Sequence, residues 1–280
     1  MKIAETQPNF DLVIEANRAP KEYLKDLIRY NELFFFLAWR DILVRYKQAV
    51  FGVAWAVIRP LLNMAVFTLI FGKIAHLSSG DVPYSLFVLA AMLPWQLVSG
   101  AAFDNCNSIV NNVHLITKIY FPRMILTASQ IIIHLIDFTI NLALLFILML
   151  FMQTGNIATM WTLPLFLILA LVLCIGSGLW LSALTVKYRD FRFITTFAVQ
   201  FGMFVSPVGY GSYIIPGMWK WLYFLNPMVG IIDGFRWALF GIASPDIFFS
   251  VLISSAISII LLITGVRHFR RVERFFADSI

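Results

Sequence analysis

The sequence predicts an all-α membrane protein with six transmembrane helices, an N-terminal interfacial amphipathic helix and short re-entrant helices before the last span. Three observations carry that expectation. Aromatic residues make up 16% of the 280 residues and charged residues only 13%, and mean hydropathy is +0.84, a balance too apolar for a soluble domain. Apolar runs at 50–70, 84–103, 124–151, 162–186, 193–210 and 247–266 each reach the roughly 18 residues that a hydrocarbon core demands of a helix. With the chain threaded through those runs, 17 of its 21 Lys and Arg residues fall on one side, which the positive-inside rule assigns to the cytoplasm.

Residues 1–19 are polar where a cleavable signal would be apolar, so the expectation is a cytoplasmic N-terminal segment. Residues 20–49 read as an amphipathic interface region. Pro20 suits a first helical turn, with Tyr23, Leu24, Leu27 and Ile28 opposite Lys21, Glu22, Lys25 and Arg29. From Asn31, a plausible N-cap, Leu33, Phe34, Phe35, Leu37, Trp39, Ile42 and Leu43 form an apolar side and Glu32, Arg40, Asp41 and Arg45 a charged one. A cytoplasmic helix packed on another subunit is the alternative.

The transmembrane domain is expected over 50–266 and a basic cytoplasmic tail over 267–280. Open sheets cannot cross a bilayer and the runs lack a barrel's alternation, so each is a helix. Between the last two spans, residues 211–245 are too apolar for a solvated loop, yet Gly211, Pro216, Gly217, Pro227, Gly230, Gly234 and Pro245 break them into pieces too short to cross. Short helices that dip in and return are expected, with Trp219, Trp221, Tyr223 and Trp237 at an outer interface. Gly230 and Gly234 form a GxxxG, a weak signal alone.

No GxxxxGK followed by Ser or Thr, HExxH, GxSxG or CxxC is present, so ATP use must come from another chain. His76, His114, His134 and His268 lack ligand spacing, no metal site is expected, and Cys106 and Cys174 read as small buried hydrophobes. The basic residues flank apolar runs instead of forming a nucleic-acid patch. Ionisable groups inside the runs are Arg59, His134 and Asp137. His134 and Asp137 share a helix face and can pair with one another or with a neighbouring helix. Arg59 either snorkels to head groups or binds one that is anionic. Two connecting segments look built for docking: 105–123, ending in Phe121-Pro122-Arg123, and the charged knuckle 187–192.

In order along the chain stand Arg45-Tyr46-Lys47 with Gly52, Trp55 and Pro60; Asn112, Leu115-Ile116 and Lys118 leading to Phe121-Pro122-Arg123; Tyr188-Arg189-Asp190; Ser206-Pro207-Val208; and Asn226-Pro227-Met228 with Arg236. This ordered set resembles the membrane (permease) subunit of type-2 ABC transporters, in the group that exports polysaccharides such as O-antigen, capsule and teichoic acid. The resemblance implies a homodimer in the bacterial inner membrane with both termini cytoplasmic. It also implies two copies of a cytoplasmic nucleotide-binding protein, which bind the ATP and Mg, so the chain itself holds no cofactor and is no enzyme.

The implied cargo is a polyisoprenoid-diphosphate-linked glycan, O-antigen foremost; capsule, teichoic acid, a drug, an antibiotic or another lipid are the alternatives. Arg40, Arg45, Lys47 and Arg59 are the candidates for its head group. Coupling to the ATPase falls by resemblance on Asn112, Leu115, Lys118, Phe121, Pro122, Arg123, Tyr188, Arg189 and Asp190. The external gate falls on Pro216, Trp219, Asn226, Pro227 and Arg236.

Overall fold

The computed structural model describes residues 20–47, 54–273 and 276. The expected N-terminal segment 1–19, the junction 48–53 with the start of the first run, and tail residues 274–275 and 277–280 lie outside the described residues. Among the described residues all regular structure is helical: α1 (Pro20–Arg29), α2 (Asn31–Lys47), α3 (Ala54–Phe67) prolonged by a π-helical stretch (Thr68–Ile74), α4 (Tyr84–Asn111), α5 (Val113–Lys118), α6 (Met124–Phe151), α7 (Ile157–Met160), α8 (Leu163–Lys187), α9 (Phe191–Val205), α10 (Gly217–Phe224), α11 (Pro227–Phe240) and α12 (Ile247–Val272).

Five of these are long and apolar enough to cross a membrane: Ala54–Ile74, Tyr84–Asn111, Met124–Phe151, Leu163–Lys187 and Ile247–Val272. The protein is therefore multi-pass. α4 is the central post; its residues from Leu86 to Leu93 are all buried. Contacts fix the directions of its neighbours. Gly100 and Asp104 meet His134, and Gln96 meets Asn141, so α6 runs antiparallel to α4. Trp95 meets Gly202 while Cys106 meets Thr195, so α9 does too. α8 and α12 run parallel, joined where the backbones at Gly176 and Gly265 approach and where Trp180 Nε1 donates to Thr264 at 3.0 Å. A side chain at Gly176 would collide with the backbone of Leu261 and Leu262. The alternating directions gather Lys118, Arg123, Lys187, Arg189, Arg192, Arg267, Arg270 and Arg271 at one end of the bundle.

α9, only 15 residues long, corresponds to the fifth apolar run and differs from the expected 193–210 helix. It stops at Ser206-Pro207, because proline lacks the amide a helix needs there. The chain continues non-helically until Gly209 accepts from the Tyr84 hydroxyl at the opposite end of α4. Non-helical backbone in an apolar bundle needs internal donors, and Arg236 supplies them: Nη2 donates to Val208 O and Nη1 to Tyr210 O, each at 3.0 Å, and Nε to Phe87 O at 3.3 Å.

α11 is almost wholly buried between α4, α8 and α12. Both glycines of its GxxxG are used: a Cβ at Gly230 would strike the Ser250 carbonyl of α12, and one at Gly234 the Phe166 ring of α8. Asn226 caps its start, accepting from Met228 N at 3.0 Å, and Gly241 ends it with φ of 73°.

Two helices run past the expected span bounds. α4 runs to Asn111 instead of ending near 103, because Asn105, Cys106, Ser108 and Ile109 are buried and hold the helix in the bundle. α12 likewise runs to Val272, and Phe276 is buried against Phe269 with ring centroids 5.4 Å apart, so the start of the expected tail is packed structure.

Candidate functional site: a charged cavity between α2, α3, α4, α6 and α9

α2 turns part of its apolar surface outward and part of its charge toward the protein. Phe35, Phe36, Trp39 and Val44 are exposed, whereas Arg40, Asp41 and Arg45 find partners on the protein side and Glu32 and Lys47 stay exposed. Arg40 pairs with Asp41 at 2.7 Å and donates through Nη2 to Asn112 Oδ1 at 3.1 Å. Asp41 accepts from Gln130 at 2.7 Å. Farther on, Arg45 Nη2 lies 3.2 Å from Asp137 Oδ2, and the Tyr46 hydroxyl donates to Asp137 Oδ1. Contacts at 41 with 130 and at 45 with 137 make α2 climb alongside α6. Asp137 stands near the midpoint of that 28-residue helix, about 20 Å from its start at ~1.5 Å per residue. An apolar outer face and a charged inner face are what such a depth requires.

The climb ends at a cavity of about 620 Å³. Arg45, Tyr46, Trp55, Arg59, Asn63, Trp95, Gln96, Phe103, Asp104, His134, Asp137, Phe138 and Asn141 are in its wall. His134 Nε2 donates to Asp104 Oδ2 at 2.7 Å, and Asp104 lies 3.8 Å from Arg45 Nη1. Of the two readings open for His134 and Asp137, the structure takes the second: each pairs with a neighbouring helix. The amides of Gln96 and Asn141 share one 3.4 Å bond, leaving the buried atoms Gln96 Nε2 and Asn141 Oδ1 without partners among the described residues. Cations, carboxylates, amides and aromatic faces thus line one space, a set able to bind phosphate and hydroxyl groups together.

The head-group candidates separate here. Arg45 and Arg59 line the cavity, and Arg59 has no ion-pair partner among the described residues. Arg40 instead braces α2 on Asn112, and Lys47 is exposed at the end of α2. The sequence reading missed Asp104, which fell one residue outside the expected span.

The first segment expected to couple is partly anchor and partly surface. Asn112, Phe121 and Pro122 are buried and Leu115 is half-buried, while Lys118 is exposed beside Ile119 and Tyr120. Asn112 Nδ2 also donates to Ser108 O at 2.8 Å. Arg123 is held from the end of α12: its amide donates to Glu273 Oε1 at 2.8 Å, its guanidinium to the Glu273 carbonyl, and it stacks 5.7 Å over the Phe276 ring. Tyr23 of α1 donates to the same carboxylate at 3.0 Å. Burial pushes the Glu273 carboxyl above the usual glutamate range, opposed by these donors and by Arg123 and Arg270. At the second segment expected to couple, Tyr188, Arg189 and Asp190 are all exposed. Its base is tied down by Cys106, whose sulfur meets Thr185 Oγ1 at 2.9 Å.

At the opposite end, Pro216 and Trp219 are exposed on and before α10. Asn226 Nδ2 donates to Ser206 Oγ at 2.9 Å, joining the turn after α9 to Pro227 and the start of α11. Arg236 is buried against the Phe87 ring, 3.5 Å from its centroid. Its neighbour Asp233, also missed, accepts from Ser212 at 2.5 Å.

Residues 32–240 match the family described as ABC-2 type transporter. Among similar proteins, an O-antigen export system permease protein RfbA of Klebsiella pneumoniae is 24% identical over 70% of this chain and 76% of its own length. A second from Klebsiella pneumoniae is 25% identical with the same coverage of both chains, and one from Myxococcus xanthus is 27% identical over 92% of this chain and 98% of its own. With a multi-pass helical bundle and a family match covering most of its length, the chain belongs to the ABC-2 type transporter family, as a permease.

Proposed function

We propose that this permease forms, as a homodimer, the membrane path of an ATP-driven exporter that moves a polyisoprenoid-diphosphate-linked polysaccharide, O-antigen foremost, across the bacterial inner membrane. The observation that carries the reading is the cavity beside α2 and α6, where Arg45 and Arg59 share a wall with aromatic rings at mid-bundle height. Arginine forks suit a diphosphate, and rings with amides suit the apolar faces and hydroxyls of sugars. The names of the similar proteins point to the same cargo.

In this reading α9 and its pinned extension complete a sixth crossing, α10 and α11 are re-entrant helices at the external gate, and both termini are cytoplasmic. The basic end of the bundle faces two copies of a nucleotide-binding protein, which bind ATP and Mg. The exposed faces around Lys118 and Tyr188-Arg189-Asp190 meet that partner. ATP binding favours one of two arrangements through its differential contacts with these segments. Copurification with a candidate ATPase, joined to export of lipid-linked glycan in a strain lacking this chain, tests the reading. Recovery of the pair and restored surface polymer are expected; polymer display without the chain contradicts it.

A further inference from the structure

We infer that Arg45 is a transferable counter-ion: an incoming diphosphate takes its guanidinium from Asp137 and Asp104, and those two carboxylates are kept satisfied by Tyr46 and His134. The inference rests on the head-group reading above and adds how the site exchanges partners.

The charge inventory of the cavity motivates it. Arg45 and Arg59 bring two cations, Asp104 and Asp137 two carboxylates. Arg59 has no ion-pair partner among the described residues, but Arg45 is engaged by both acids, at 3.2 and 3.8 Å. A single guanidinium matches one phosphate group in a bidentate fork, so a diphosphate calls for a second. Arg45 is the second arginine in the wall, and it becomes available only by leaving its acids.

Breaking an ion pair at such depth ordinarily strands a charge, which makes the step costly. Here neither acid is stranded. Asp137 holds the Tyr46 hydroxyl on Oδ1 while Arg45 sits on Oδ2. Asp104 holds His134 at 2.7 Å, closer than it holds Arg45. The His134 ring is itself packed against Gly100, where a Cβ would lie 2.5 Å from Nδ1, so this donor stays in place. Arg45, with 35% of its side chain exposed, is the mobile member of the group. The carboxylates therefore compete with the ligand for one guanidinium, giving a site that binds an anion and also lets it go.

Competition has a signature that simple binding lacks. Asp137→Asn removes one competitor without removing a cation, so diphosphate binds about threefold to tenfold tighter, the scale of one partly exposed ion pair. Tyr46→Phe withdraws the alternative donor, so Asp137 retains Arg45 more firmly and binding weakens by a similar factor. Arg45→Gln weakens it as well. Opposite signs from two near-isosteric changes at contacting residues cannot both come from a general loss of structure.

The test measures binding to the full-length chain in lipid nanodiscs, with a polyisoprenyl diphosphate in the bilayer in one arm and inorganic diphosphate in solution in the other. Tightening by Asp137→Asn with weakening by Tyr46→Phe supports the exchange, in the first arm alone for a membrane-borne head group and in both for any diphosphate that reaches the cavity. Unchanged or weaker binding in Asp137→Asn, with Arg45→Gln still harmful, overturns the exchange and leaves the head-group reading standing. A wild-type chain that binds neither probe overturns the head-group reading itself.

Discussion

A guanidinium donating to three backbone carbonyls replaces water that an apolar bundle cannot offer. Arg236 does this for Val208, Tyr210 and Phe87, and it is 2% exposed. Arg236→Met leaves three buried acceptors unmet, so the loss is on the order of 3 kcal/mol or more. Thermal unfolding in detergent reads it as a clear drop in midpoint; an unchanged midpoint would remove Arg236 as the pin of the turn after α9. At the other end, Glu273 gathers Tyr23 and Arg123 around one buried carboxylate. Its folded-state pKa is raised, so its contribution is fully present below the ordinary glutamate value and is lost as pH rises through the raised one. Hydrogen-exchange protection at the end of α12 should fall over that window, and Glu273→Gln should flatten the profile. A slope that persists in the variant would locate the titration elsewhere. Several of these residues were illegible for definable reasons. Asp104 was lost because hydropathy alone ended its helix at Phe103, before a polar stretch that the structure buries. Asp233 stood among glycines and prolines that read as punctuation, Arg236 entered only through the resemblance, and nothing local announced that α11 would enter the core.

Helices, by contrast, were legible wherever length and hydropathy sufficed. The runs corresponding to α4, α6, α8 and α12 stood out because each is long and strongly apolar, even with Pro94 inside α4, though α4 and α12 extend farther than hydropathy indicated. α9 was overextended because Val208 and Tyr210 are apolar enough to continue a hydropathy run, while Ser206-Pro207 decides the backbone. α2 was found, but not which of its side chains meet protein. Amphipathicity gives two faces and does not say which meets protein, and here the deciding contacts, Asp41 with Gln130 and Arg45 with Asp137, join segments some 90 residues apart. At this scale the packing of α11 is the testable element. Gly230→Leu drives a side chain into the Ser250 carbonyl and Ser254 hydroxyl of α12, and overpacking of that kind costs about 1–3 kcal/mol or more. A lower unfolding midpoint in detergent is expected; a stable, normally packed variant would show that the close approach of α11 and α12 is dispensable.

The whole molecule places its features at two ends and in one lateral cavity between them. Basic residues and both segments expected to couple share one end, and the α10–α11 region with its capping network occupies the other. If force enters at the basic end, the exposed knuckle is a lever separable from the fold. Arg189→Ala and Asp190→Ala should then reduce export several-fold while the ATPase continues to turn over and the permease stays in the membrane. Full export in both variants would exclude the knuckle from coupling. In the function proposed above, this chain conducts and a separate protein supplies the energy. Reconstitution in proteoliposomes tests it most directly, with translocation of a polyisoprenyl-diphosphate-linked glycan followed by its accessibility on the far side. Movement that requires ATP, this chain and the nucleotide-binding partner together is the predicted result. Movement with the partner absent, or ATP hydrolysis by the purified chain alone, would contradict it.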